Sequence, residues 1–269
     1  MPNALHPDSA LLVTQPTTLA DALAARAAQP DATLVAGGTG VLVDMNAGLR
    51  PAGLIDLSRV AELAAIEDDG EVVRVGATVT YTRVIEELGD RLPGVAMASR
   101  TVASRQIRNR GTLGGALALR DPSGDALAGL LAAGARVEVA CAPGTRTVGV
   151  GELEIAPGEL LTALLVPAAT GPVAYAKAGM RNAMARAVCG VAVALDPARR
   201  GVAIAVVGAR AARAPEAEAL VAREAPWEGG APDRDLLRRA GELAAAALAP
   251  IPAHLTSVLT RRALERAWS

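Results

Sequence analysis

The 269-residue chain has no Phe, and its two Trp and two Tyr make up the whole aromatic share of 1%. Stacking of nucleic-acid bases on aromatic rings is therefore nearly excluded, and any core must be built from Ala, Val and Leu. Positive charge is not in excess: 27 Lys and Arg face 28 Asp and Glu, for a formal net charge of −1. Neutralising phosphates requires a surplus of Lys and Arg, so no electrostatic binding to nucleic acid or membrane is expected. Cys141 and Cys189 are the only cysteines. An iron–sulfur cluster takes about four thiolates, so this chain holds none alone, and a structural zinc site is equally unexpected. Both read as buried small hydrophobes. His6 and His254 are the only histidines. Neither is flanked by a Ser or Cys nucleophile, which argues against a Ser–His–Asp hydrolase and against chelation of a metal by His. No run of about 18 apolar residues occurs, and the stretch Met1 to Pro16 has no basic segment followed by an apolar one. Neither a membrane span nor a signal peptide is expected, and a cytoplasmic location is. Lysine is nearly missing too: Lys177 is the only one, and every other basic side chain is Arg. Arg- and Ala-heavy usage reflects genome composition, and the single retained Lys is either chance or a place where a compact ammonium suits and a planar fork does not.

What is present supports a sizeable core. Apolar residues make up 51% and charged residues 20%, which suits one large domain or two modest ones and excludes disorder. Helices are predicted over Thr17–Gln29, capped by Thr17 or Thr18, and over Thr80–Leu88, Val95–Ser104, Asp125–Ala133, Asp233–Ala249 and about Leu255–Trp268. Strands are predicted over Thr33–Ala36, Leu54–Leu57, Val72–Val75, Ala135–Ala140, Val188–Leu195 and Val202–Val207, the last two paired around the turn Asp196–Gly201. The segment Pro167-Ala168-Ala169-Thr170-Gly171-Pro172 marks the preferred domain boundary. Strands and helices alternate irregularly, which fits α+β better than a doubly wound parallel sheet.

Two glycine loops carry chemistry. In Leu34-Val35-Ala36-Gly37-Gly38-Thr39-Gly40 a strand ends in small residues, so backbone N–H groups can approach an anion. Thr112-Leu113-Gly114-Gly115 follows the same logic. Each alone is also an ordinary turn. Neither is a Walker loop, because no Gly-Lys-Ser/Thr follows, and neither has the G-x-G-x-x-G spacing. Together they suit a dinucleotide with two phosphates. Asp125, in Asp121-Pro122-Ser123-Gly124-Asp125, is either a helix N-cap or a carboxylate accepting from ligand hydroxyls. Arg105 to Arg110 is a solvated face, a protein interface or a phosphate contact.

Taken together, these segments resemble the FAD-binding medium subunit of the xanthine dehydrogenase and carbon monoxide dehydrogenase family, the molybdenum hydroxylases. The matching segments run nearly end to end: Pro16 to Leu23, Ala36 to Gly40, Gln106 to Gly115, Pro122 to Asp125, Gly158 to Thr162 leading to Pro167, Lys177 with Arg181-Asn182-Ala183, and His254-Leu255 with Leu259 to Leu264. The resemblance implies an α+β fold. Residues 1–168 would form a two-lobed FAD-binding domain of the PCMH type, split near residue 60. Residues 172–269 would form a C-terminal domain of the CO dehydrogenase flavoprotein type, with a three-stranded sheet and helices. By the same analogy Leu34, Val35, Ala36, Gly37, Gly38, Thr39, Gly40 and Val41, with Gly111, Thr112, Leu113, Gly114, Gly115 and Ala116, cradle the pyrophosphate and ribityl chain. Val102 and Asp125 bind nearby, and Leu161 and Lys177 line the isoalloxazine. Lys177 is the candidate for stabilising negative charge on the reduced flavin. The implied partners are a large molybdenum-binding subunit and a small subunit with 2Fe–2S clusters, in a dimer of heterotrimers. Electrons would pass from those clusters through FAD to an external acceptor such as NAD, oxygen or a quinone.

The chain departs from the family in three places. The first loop often carries Asp, Ser or Glu where Gly40 stands. The second is often followed by Asn, here Ala116. The stretch before Pro122 is usually small and polar, here Leu119-Arg120-Asp121. These departures keep other readings open: a stand-alone flavoenzyme of the same fold such as an enolpyruvyl reductase, a scaffold subunit that has lost FAD, or a nucleotide-binding regulatory module.

Overall fold

The computed structural model describes residues 11–142, 144–182 and 184–269. His6, the segment before Leu11 and Ala183 lie outside the described residues.

The chain begins with a small parallel sheet. Strand β1 (Val13–Thr14) leads to helix α1 (Leu19–Ala28), strand β2 (Thr33–Val35), the short helix α2 (Val41–Asn46) and strand β3 (Leu54–Asp56). The strand order is β1-β3-β2, all parallel. Thr18 caps α1 by accepting from the Asp21 N–H, and Ala22 is the buried point of its apolar stripe. Ala22, Ala32, Ile55, Leu57, Val60 and Leu63 form a small core that also takes in Leu160 from the next sheet.

The second sheet is antiparallel, in the order β4-β5-β8-β6-β7. Its strands are β4 (Ile66–Asp68), β5 (Val72–Gly76), β6 (Arg136–Cys141), β7 (Gly144–Gly149) and β8 (Leu160–Pro167). Between β5 and β6 the chain forms α3 (Tyr81–Glu87), α4 (Pro93–Arg100), α5 (Arg105–Arg108), α6 (Leu113–Ala118) and α7 (Asp125–Ala132). Residues of β5, β6 and β8 share one apolar core with α3, α4, α6 and α7. In β6, Val137 and Val139 point into that core while Arg136 and Glu138 take the other face, as period-two alternation predicts.

The C-terminal sheet has the antiparallel order β12-β11-β10-β9, from strands β9 (Val173–Gly179), β10 (Ala187–Asp196), β11 (Gly201–Gly208) and β12 (Ala212–Arg213). Three long strands are present, and the two-residue β12 adds a fourth by pairing with Ala205 and Val206 at the edge. Helices α8 (Pro215–Glu224), α9 (Arg234–Ala247) and α10 (Ala253–Trp268) cover one face. There Val191, Val193, Ile204 and Val206 meet Leu236, Leu237, Leu259 and Leu264. The opposite face sends Tyr175, Ala192, Ala205 and Val207 into the core of the second sheet's helices. No helix among the described residues is long and apolar enough to cross a membrane.

The predicted helix over Val95–Ser104 ends early, and a separate short helix follows it. Helix α4 stops at Arg100 because Ala103 adopts a left-handed backbone (φ 37), which a continuing helix cannot contain. Ser104 then caps α5 by accepting from the Ile107 N–H.

Candidate functional site

The first glycine loop leaves β2 at Val35 and enters α2 at Val41. Gly38 has φ +75, the left-handed region open to glycine at no steric cost. Gly37 is required for a different reason. A Cβ there would lie 1.7 Å from the Arg110 carbonyl oxygen and 3.2 Å from the Gly111 Cα. The two loops are thus pressed backbone to backbone. Among the described residues, the N–H groups of Gly37, Gly38, Thr39 and Gly40 have no acceptor. Consecutive unpaired N–H donors in a half-buried loop form an anion-binding concavity.

The second loop looks alike in sequence and differs in chemistry. Leu113 N–H donates to the Val79 carbonyl (3.1 Å) and Gly114 N–H to the Ala77 carbonyl (3.0 Å). Gly115 N–H donates to Thr112 Oγ1 (3.0 Å), and Ala116 N–H to the Thr112 carbonyl (3.0 Å). A Cβ on Gly114 would lie 2.6 Å from Ala77. The donors of this loop are committed to the fold, so it acts as the wall against which the first loop sits.

Two of the sequence's departures meet in space. A Cβ on Gly40 would lie 2.7 Å from Leu119 Cδ1, so Leu119 occupies the room that a side chain at position 40 would take. The basic segment before the second loop is mostly solvated. Arg108 is turned inward, where its guanidinium donates to the carbonyls of Val102 (2.8 Å) and Ala103 (2.9 Å).

Asp125 stands at the first position of α7. The N-cap is Gly124, which corrects the N-cap reading of Asp125. The carboxylate points instead at the C-terminal sheet. Its Oδ2 accepts from Lys177 Nζ (2.6 Å) and its Oδ1 from the Tyr175 hydroxyl (2.8 Å). Tyr175 and Lys177 are two apart on β9, hence on one face. The ammonium also donates to the carbonyls of Ala185 (2.7 Å) and Thr101 (3.3 Å), so its three protons all have acceptors. Burial, with Asp125 only 7% exposed, pushes its carboxyl up from the ordinary value, and the donors Lys177 and Tyr175 offset only part of that. Burial beside that carboxylate also pushes the Tyr175 phenol up.

Of the remaining sequence-selected residues, Val102 is half-buried against the core next to α4. Leu161 is buried in the same core, paired with Val139 across β8 and β6. Cys189 is buried against Thr256, and burial pushes its thiol up, so it is not a reactive thiolate. Sequence reasoning missed Tyr175, although a Tyr two residues before the only Lys, in a chain almost without aromatics, was a usable signal.

Residues 8–169 match the family described as "FAD binding domain in molybdopterin dehydrogenase". The chain belongs to this family. It is 32% identical over 277 residues to the carbon monoxide dehydrogenase medium chain of Afipia carboxidovorans, covering 94% of this chain and 95% of that one. It is 33% identical over 183 residues to the nicotine 6-hydroxylase medium subunit of Paenarthrobacter nicotinovorans, covering 64% of this chain and 65% of that protein. The match to the 6-hydroxypseudooxynicotine dehydrogenase complex subunit alpha spans only 50% of that protein. In three dimensions the chain is similar to the reconstituted CO dehydrogenase from Oligotropha carboxidovorans, with a TM-score of 0.87 at 30% identity over 96% of this chain and 98% of that one.

Proposed function

We propose that this chain is the FAD-carrying medium subunit of a multi-subunit molybdenum hydroxylase. It would be a relay between iron–sulfur clusters on a small partner subunit and an external acceptor, while a large partner subunit with the molybdenum cofactor oxidises the substrate. The observation that carries this reading is the run of four unpaired backbone N–H groups, Gly37 to Gly40, held against the second loop by a contact that admits no side chain at Gly37. These donors suit the pyrophosphate without help from a Lys. Thr112 and Gly115 would border the ribityl chain, and Val102, Leu161, Asp125 and Lys177 the isoalloxazine. FAD, when bound, supplies the redox chemistry. The chain's own residues fix the cofactor's place, keep a local charge beside it and exclude water. The same reading divides the chain into an FAD-binding domain, residues 1–168 with lobes split near 60, and a C-terminal domain, residues 172–269. It implies a dimer of heterotrimers in the cytoplasm.

Native purification tests it. The expected result is a flavin absorbance spectrum, about one FAD released per chain, and a large and a small subunit in the same peak. A second reading, a scaffold that has lost FAD, is favoured by Leu119 sitting over the side-chain-less Gly40. A colourless chain that still assembles with both partners would establish that reading instead. A colourless chain without partners overturns both.

A further inference from the structure

We propose that Tyr175 is a positioning residue of the cofactor site: its hydroxyl holds the Asp125 carboxylate against the Lys177 ammonium and so sets how much of that positive charge a bound flavin meets. The inference rests on the FAD reading above. Four observations carry it. Tyr175 is one of two tyrosines in a chain without Phe, yet it is buried on the face of the C-terminal sheet that packs against α4 and α7. Room for its ring tip is built in, because a Cβ on the neighbouring-strand residue Gly190 would lie 2.7 Å from the hydroxyl. The hydroxyl donates to Asp125 Oδ1 at 2.8 Å while Lys177 Nζ takes Oδ2 at 2.6 Å, so each carboxylate oxygen has its own donor. Lys177 in turn also holds the Ala185 and Thr101 carbonyls, which ties the β9–β10 loop and the end of α4 to the same ion pair.

The groups that face the carboxylate are few. Lys177 and Tyr175 come from β9, and Thr101 from the end of α4. Tyr81 of α3 feels the Asp125 charge, with Asp121 behind it, and Cys189 of β10 lies by Tyr175. Burial pushes the Tyr81 phenol and the Cys189 thiol up, so both stay neutral. Asp125 therefore keeps its charge in a buried place chiefly through two donors. Without the Tyr175 hydroxyl it takes up a proton at a higher pH, and the Lys177 charge is then uncompensated. An uncompensated cation favours the more negative, reduced form of a flavin.

The test uses the full chain loaded with FAD and measures the flavin midpoint potential against pH. In Tyr175→Phe the Asp125-linked inflection is expected to move up by about one to two pH units, the worth of one charge-assisted hydrogen bond. Between the wild-type inflection and the raised one the potential is less negative than in the wild type, and on either side of that window the two coincide. Asp125→Asn is expected to abolish the inflection and to raise the potential at every pH above the wild-type inflection, and adding Tyr175→Phe to it to change nothing further. The second comparison keeps the proposal testable if Tyr175→Phe alone folds poorly. A Tyr175→Phe profile that superimposes on the wild type overturns the role, as does a further shift in the Asp125→Asn background. A wild-type chain that takes up no flavin overturns the FAD reading and this role with it. A loaded wild type with an unchanged variant overturns this role alone.

Discussion

Gly37 and Gly40 lie three residues apart in one loop, and the structure separates their roles. A methyl at Gly37 meets a backbone carbonyl at 1.7 Å, while a methyl at Gly40 meets the end of the Leu119 side chain at 2.7 Å. A carbonyl locked between two loops cannot move alone, whereas Leu119 is half exposed and can rotate toward solvent. Gly37→Ala is therefore expected to cost about 3 kcal/mol or more, the upper end for overpacking, and to abolish FAD uptake because the loops must part. Gly40→Ala is expected to cost less than about 1 kcal/mol and to leave FAD bound. Thermal unfolding and a flavin titration of both variants check this. Equal losses would mean that the loop contact does not build the cradle. Restoring Ser at Gly40 together with Leu119→Ala is expected to tighten FAD binding beyond the sum of the two single changes. The Ser hydroxyl then reaches the space Leu119 now fills. Isothermal titration of the two single variants and the double variant reads the coupling directly.

The hairpin of β6 and β7 returns to β8 through a loop held by one ion pair. Arg146 on β7 grips both oxygens of Glu159 (2.7 and 2.8 Å), and Glu159 also accepts from the Ala156 N–H (2.7 Å). The Arg146 fork, with that backbone donor, holds the Glu159 carboxyl down at about 2 from an ordinary 4.5. A carboxyl whose folded value is depressed adds stability that is fully present above its unfolded value and fades as the folded value is approached from above. The contribution is thus complete above about pH 4.5 and is lost as pH falls towards about 2. Glu159→Gln is expected to lower the melting temperature at neutral pH, with the gap to the wild type closing through that acid window. A gap that stays constant with pH would assign the effect to packing rather than to the ion pair. Strand β7 and this clasp were not legible in the sequence, because Gly-Thr-Arg-Thr-Val-Gly is exposed and polar and has no apolar alternation to read. Strand β8 was hidden for the opposite reason. It is central in its sheet and apolar at nearly every position, a pattern that periodicity cannot tell from a buried helix. Helix α8 went unread because its apolar stripe is short and follows directly on an edge strand. The amphipathic helices α1, α9 and α10 and the paired strands β10 and β11 were legible, since each shows its period over enough residues. At the site, the sequence showed both glycine loops, Asp125 and Lys177. It could not show that only one loop keeps its donors free, because that depends on which carbonyls the fold brings within reach.

Across the whole molecule, the C-terminal sheet is sandwiched, and this makes the site depend on both halves of the chain. One of its faces is closed by α8, α9 and α10. The other gives Tyr175, Ala187, Ala192, Ala205 and Val207 to the core that α4 and α7 build. A backbone bond from Gly208 N–H to the Pro122 carbonyl (3.1 Å) joins the same two parts beside Asp125. Cutting the chain at the Pro167–Pro172 segment would strip apolar cover from α4 and α7. It would also take Lys177 and Tyr175 away from the Asp125 carboxylate and open that carboxylate to solvent, so the charged cluster beside the loops would be lost. Residues 1–168 expressed alone are therefore expected to bind a hydrophobic dye, to unfold without a sharp transition and to take up FAD poorly, even though both glycine loops lie within the fragment. Supplying residues 169–269 as a separate chain is expected to restore the transition and the flavin spectrum together. Dye binding, thermal unfolding and flavin absorbance of the fragment, with and without its complement, decide the matter. A fragment that melts cooperatively and holds FAD as the full chain does would show that the β9 residues are dispensable to the cradle, and that the two parts of the chain meet without sharing a site.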